Sequence, residues 1–183
     1  MKKIAFLLLF ACCGTSAWAG PIQDKNKVIA RRVFEEIFNQ GKFQVADEIY
    51  APDFVNHGVQ TSVGLKEDQA AARGWKEAFP DLKMNVVLMV AEDDLVTAVW
   101  TASGTNTGQG NGLPATGKKA EGRGITVWRI VGGKIREEWT EYDSLRLMKQ
   151  LGLIPGAEKA RDSQAGTVVG AIAGQKPGIA AGR

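Results

Sequence analysis

The sequence predicts an α+β domain, with helices first and a meander of long antiparallel strands after them. Three observations carry this. Apolar residues recur at helical spacing as far as Phe79, the spacing switches to alternation from Leu82, and the alternating runs are separated by turn signals such as Gly132-Gly133.

Residues 25–40 form the first amphipathic helix. Ile29, Val33 and Ile37 make one row, with Ala30, Phe34 and Phe38 beside it. Asp24 is placed to cap its start and Gly41 to end it. Residues 43–50 form a second, short helix with Val45, Ala46 and Ile49 inward, broken by Ala51-Pro52-Asp53. Residues 54–61 are a loop or short strand carrying His57, the only histidine. Residues 65–79 form a third helix with a stripe of Leu65, Ala72, Trp75 and Phe79, and Pro80-Asp81 stops it.

Leu82, Met84, Val86, Leu88 and Val90 then alternate as in a half-buried strand. Glu92-Asp93-Asp94 turns into a second strand, 95–103. A loop rich in Gly, Thr and Asn, 105–118, leads to a third strand, 120–131. Gly132-Gly133 makes a primed hairpin turn into a fourth strand, 134–142, and residues 144–151 add a last helical turn or two before Gly152.

The two ends read differently. Lys2-Lys3, the apolar run 4–10 and Ala17-Trp18-Ala19 have the pattern of a signal peptide over residues 1–19, cleaved after Ala19, which predicts a periplasmic or secreted protein. Leu9-Phe10-Ala11-Cys12 is a poor lipoprotein box because Phe10 is bulky, so lipidation at Cys12 is the less favoured reading. Residues 156–183 are rich in Gly and Ala without an aromatic residue, which predicts a mostly disordered tail. One domain, 23–155, remains.

Composition narrows the function. Both cysteines, Cys12 and Cys13, leave with the leader, so thiol catalysis and cysteine metal sites are not expected. One histidine and no cysteine make a poor metal site, and no cofactor is implied. The formal charge of +3 falls to +1 without Lys2 and Lys3, 21 basic against 20 acidic side chains. That balance argues against a nucleic-acid partner. No segment of the mature chain reaches transmembrane length.

If the fourth strand is regular, Trp139, Glu141 and Asp143 share one face. A carboxylate there, beside an aromatic wall, could act as an acid or base; Asp143 could equally cap the helix that begins at Ser144. Trp100 and Trp128 are core or wall, and Arg123 reads as a surface residue. Arg129 and Glu138 flank the hairpin turn where they could pair.

Several short motifs occur in order. They are Gly104-Thr105-Asn106-Thr107-Gly108, residues 112–118, Arg129-Ile130-Val131-Gly132-Gly133-Lys134-Ile135, Glu138-Trp139-Thr140-Glu141-Tyr142-Asp143 and Gln150-Leu151-Gly152. Together, over residues 27–152, they resemble the SnoaL-like polyketide cyclases, or ester cyclases, of the NTF2-like fold. The resemblance implies a curved sheet wrapped over three helices, with a conical cavity between them. It implies Asp143 as general acid/base in an aldol-type cyclisation or isomerisation of a small apolar or aromatic carbonyl compound. It places His57 near a carbonyl oxygen or paired with Asp143, with Asn56 beside it at the pocket. Asn106 stands where the family commonly has His, and an amide cannot shuttle a proton. Trp139, Trp100, Trp128 and Glu141 complete the expected pocket. The resemblance also implies a homodimer paired through the outer face of the sheet. The other class of reading is a non-catalytic binding or dimerisation module. Export favours it, because polyketide chains are normally built in the cytosol.

Overall fold

A computed structural model describes residues 20–58 and 61–154. The expected signal peptide and tail lie outside the described residues. The helices are α1 (Pro21–Arg32), which continues as a π-helical stretch (Val33–Asn39), α2 (Val45–Ile49), α3 (Leu65–Ala78) and α4 (Ser144–Leu151). The strands are β1 (Tyr50–His57), β2 (Ser62–Gly64), β3 (Lys83–Glu92), β4 (Leu95–Thr105), β5 (Lys119–Val131) and β6 (Lys134–Tyr142).

The strands form one sheet in the order β2-β1-β6-β5-β4-β3. The expected four-strand meander is there, and two further strands extend it. β1 joins β6 in parallel, Asn56 beside Glu138, while every other pairing is antiparallel. Pro52 sits where the β1–β6 register shifts, a place that tolerates a missing N–H.

Two bulges curve the sheet and change which side chains point inward. In β3 the register slips between Val86 and Leu88. Met84 is therefore buried, whereas Leu88 and Val90, expected inward, lie exposed on the outer face. In β6 the slip falls between the Ile130–Ile135 and Arg129–Glu137 pairs, so Arg136 is the extra residue. Ile135 faces the core, and beyond the bulge Glu138, rather than Glu137, lies opposite inward-facing Trp128.

The helices fill the concave side. Ala30, Val33, Phe34 and Ile37 pack with Val96, Ala98, Trp128 and Ile130 in the main core. The π-turn has more residues per turn than an α-turn, and the adjacent pairs Val33–Phe34 and Ile37–Phe38 all reach the interior. Asn39 exchanges hydrogen bonds with the Met84 backbone, at 2.9 Å and 2.7 Å, and so ties the helix end to β3. Asp24 does not cap α1, whose N-cap is Gly20; it pairs with Lys27 at 2.8 Å instead. Gly132 and Gly133, at φ 60° and 77°, make the primed turn that both positive angles require.

Candidate active site

Between helices and sheet lies a cavity of about 320 Å³. Phe34, Ile37, Trp75 and Met84 give it apolar walls, with the rings of Trp100 and Trp128 from the sheet. Four carboxyl groups line it, those of Asp68, Glu121, Glu138 and Asp143, and no Lys, Arg or His does so among the described residues. On one part of its wall, β1, β6 and α3 bring Tyr50, Asn56, Asp68 and Glu138 together.

Glu138 is the hub of this group. Trp128 Nε1 donates to Oε2 at 2.7 Å, and the Tyr50 hydroxyl approaches the same oxygen at 3.5 Å. Thr140 donates to Oε1 at 3.0 Å, and Asn56 Nδ2 at 3.4 Å. The same Asn56 amide donates to Asp68 Oδ1 at 2.7 Å, so two carboxyls meet on one side chain. Behind Thr140, Trp100 Nε1 donates to Thr126 at 3.0 Å, and the two threonine hydroxyls bond at 2.9 Å.

Burial pushes the Glu138 carboxyl up to about 7, and the neighbouring charge of Asp68 adds to it; the hydrogen bonds from Trp128, Thr140 and Tyr50 pull the other way and do not prevail. Burial likewise raises Asp68, against the Asn56 hydrogen bond. Such a pair titrates as a unit, and burial of both groups favours a form in which they share a proton. Tyr50, buried beside both, is driven well above the ordinary phenol range, first by burial and then by the charges of Glu138 and Asp68.

Asp143 sits at the mouth. The chain leaves the sheet after Tyr142, and Asp143 Oδ1 accepts a hydrogen bond from the Arg146 backbone N–H at 2.9 Å. It therefore caps α4 while also lining the cavity, exposed to solvent. Tyr142 stands beside it, edge-on to Trp75 at 6.0 Å.

Of the residues singled out in the sequence, Asp143, Asn56, Trp100 and Trp128 line the cavity. His57, Trp139, Glu141 and Asn106 do not. The Arg136 bulge is the reason for Trp139 and Glu141: regular alternation from Ile135 would turn them inward, and the extra residue turns them to the outer face. His57 lies on that outer face too. Its ring stacks on Trp139 at 4.6 Å and 9°, and Nε2 contacts Glu137 Oε2 at 2.8 Å. It is paired with Glu137, not Asp143. Arg129 likewise pairs with Glu137 at 2.9 Å, not with Glu138, and also holds Asp94. Arg123 is exposed and off the wall.

Asn106 is fully buried and organises the loop before β5. It donates to the carbonyls of Ala78 and Gly108, both at 3.1 Å, and accepts from the Thr116 N–H and hydroxyl at 3.0 Å and 2.8 Å. That loop lies against α3 rather than over the cavity; a Cβ on Gly110 would meet the Gly74 carbonyl oxygen at 2.0 Å. Neither Asp68 nor a cavity role for Glu138 is marked in the sequence, where Glu138 reads as a partner of Arg129 across the hairpin. Asp68 had the look of an ordinary exposed helix acid, and nothing local marks it. Glu138 could have been found from the Arg129–Ile135 hairpin register, had the bulge been placed.

The model of the family described as SnoaL-like polyketide cyclase matches residues 28–151. The chain belongs to that family. Among its named relatives, the nogalonic acid methyl ester cyclase of Streptomyces nogalater is 28% identical over 124 residues, 63% of this chain and 89% of that one. The aklanonic acid methyl ester cyclase DnrD of Streptomyces peucetius is 32% identical over 131 residues, 68% and 88% of the two chains. Among solved structures, TsrD from Streptomyces laurentii superposes with a TM-score of 0.65 at 26% identity, covering 72% of this chain and 98% of that one. A Jannaschia sp. CCS1 protein named for the SnoaL-like cyclases shares the fold, with a TM-score of 0.69 at 24% identity over 74% and 97% of the chains. The SnoaL-like, NTF2-type cone expected from the sequence is thus the fold observed.

Proposed function

We propose that this protein is a cyclase acting on a small, neutral, polyketide-like carbonyl compound by the acid/base chemistry of its own carboxyl groups, with Asp143 as general acid/base. One observation carries the reading: a mostly apolar cone whose charged wall groups are all carboxyls. A neutral ester or ketone enters such a cone without repulsion, whereas a free carboxylate would meet four acids and no cation. The named relatives are cyclases of methyl esters, which are uncharged at that group.

In the proposed reaction, the Asp143 carboxylate removes a proton from a carbon next to a carbonyl. The resulting carbanion attacks a second carbonyl carbon within the same molecule. A C–C bond forms, the C=O electron pair moves to oxygen, and Asp143 returns its proton to that alkoxide. Trp75 and Tyr142, lining the mouth beside Asp143, offer aromatic surface for a flat frame.

The test is Asp143→Asn, assayed on an aromatic keto-ester methyl ester that closes by intramolecular aldol addition. Asn caps helices as well as Asp, so the fold should stand, while turnover falls about 10²- to 10⁴-fold. Turnover unchanged in this variant would reject the role. The exposed, capping geometry of Asp143 also favours a second reading, a carrier that binds such compounds without converting them. Saturable binding with no product, in protein that is fully folded, would select it.

Two further parts of the proposal concern where and how the protein works. The leader-like sequence of residues 1–19 supports export. The outer face of the sheet supports a homodimer, because Val87, Leu88, Val90, Ile125 and Val131 remain 41% to 65% exposed there.

A further inference from the structure

The Asp68–Asn56–Glu138 cluster has no part in the reaction as written, yet it lies in the same cavity. Glu138 and Tyr142 are four residues apart on β6, roughly 13 Å at about 3.3 Å per residue. Through Glu138 the cluster is therefore set back from Asp143 along β6. It is placed to meet the opposite end of a ligand.

The directions of the hydrogen bonds assign the roles. The indole of Trp128 can only donate, so Glu138 Oε2 acts as an acceptor. Thr140 donates to Glu138 Oε1, and its hydroxyl is bonded in turn to Thr126, which accepts from the Trp100 indole. Both oxygens of Glu138 are thus supplied with donors, an arrangement that suits the ionised form. Asp68 accepts one hydrogen bond, at Oδ1 from Asn56, and its Oδ2 has no partner among the described residues. Asp68 lines the cavity from α3. The proton the pair shares belongs on that open oxygen, on a side chain that lines the cavity.

We propose that Asp68, backed by Glu138 across the Asn56 amide, is a specificity-determining hydrogen-bond donor that recognises a carbonyl oxygen at the end of the ligand remote from the reacting carbons. This rests on the reading of the cone as a site for carbonyl compounds. A frame ending in hydrocarbon would leave the donor unpaired, and a frame ending in a carboxylate would meet a second acid in Glu138. The other titratable groups on the wall are Tyr50 from β1, Glu121 from β5, Tyr142 from β6 and Asp143 at the mouth. Of these, Tyr50 and Tyr142 are raised further above an already high phenol range by burial, so neither loses its proton near neutrality.

The test compares two flat compounds of similar shape, 2-acetylnaphthalene and 2-isopropylnaphthalene, by quenching of tryptophan fluorescence in the full chain from pH 6 to pH 9. The ketone should bind about tenfold more tightly at pH 6 than at pH 9, as expected when a hydrogen bond to a protonated acid is lost. The hydrocarbon should show no such dependence. Asp68→Asn keeps a donor at every pH, so the ketone's affinity should become flat with pH and remain near the acid-limb value. Glu138→Gln should shift the midpoint of the profile toward acid; where that variant does not fold, Asp68→Asn decides alone. A ketone profile unchanged in Asp68→Asn, or the same profile for both compounds, overturns the proposal and leaves the cyclase reading standing. Failure of the ketone to bind at any pH removes both.

Discussion

The buried Asp68–Glu138 pair should make the protein less stable as pH rises from 5 to 8. Glu138 in the folded protein titrates at about 7, against an ordinary value of 4.5. Below pH 4.5 the folded and unfolded chains both hold the proton, and the contribution to stability is fully present. Between 4.5 and 7 the unfolded chain has released the proton while the folded Asp68–Glu138 pair keeps one, so stability is lost as pH rises through the folded value. A shift of this size corresponds to about 3 kcal/mol. Glu138 retains some surface toward the cavity, whose water screens it, so about 2 kcal/mol is the working figure. Glu36, Asp81 and Glu137 act in the opposite sense. Hydrogen bonds from Arg32, Thr105 and His57 respectively hold them low, and their stabilisation is lost only as pH falls through those depressed values. The two windows do not overlap. Urea unfolding of the wild type and Glu138→Gln at pH 5 and pH 8 separates the pair's contribution. The variant should gain about 2 kcal/mol on the wild type between the two pH values. Parallel behaviour, within about 0.5 kcal/mol, would refute the physical account of a carboxyl pair kept partly protonated by burial.

Other expectations follow from single contacts. Asp143→Ala removes the cap of α4 and should destabilise by about 1 kcal/mol in thermal unfolding, whereas Asp143→Asn should not. Asn106→Ala strands several buried polar groups; it should lower stability by about 3 kcal/mol and open the 105–119 loop to limited proteolysis. His57→Gln should leave ketone affinity and its pH profile untouched, because His57 lies outside the cavity; a change in either measurement would place it in the site after all. Ile125→Glu puts a charge in the exposed apolar strip, and analytical ultracentrifugation should show a dimer becoming a monomer.

The α+β order was legible because periodicity reports burial directly: helical rows up to Phe79, alternation after Leu82. What alternation cannot report is an extra residue. Bulges at Val87 and Arg136 each exchange the two faces of a strand, and each moved residues that the sequence pointed the other way. The first put Leu88 and Val90 outside. The second turned Trp139 and Glu141 out and Glu138 in. The candidate site suffered more than the fold for this reason: a sheet survives a reversed face, but a pocket list does not. The two wall tryptophans were legible because β4 and β5 pair without a slip between them, whereas Asn56 was placed by the motif around it rather than by alternation. Asp68 was not legible, since its burial depends on β1 and β6 arriving from elsewhere in the chain.

The parallel seam between β1 and β6 has a consequence for how the protein comes to be active. β3, β4, β5 and β6 are joined by local connections and can pair as the chain emerges, but Asn56 meets Glu138 only across 82 residues. Non-local pairings of this kind close late, after shorter loops have formed. The wall on which Asn56 meets Glu138 therefore exists only once the seam is zipped. Pulsed hydrogen exchange during refolding should show the β4–β5 amides protected before those of β1. An intermediate with a complete meander and an open seam would contain most of the sheet and none of the binding specificity, so recovery of ligand binding times the last step of folding rather than the first.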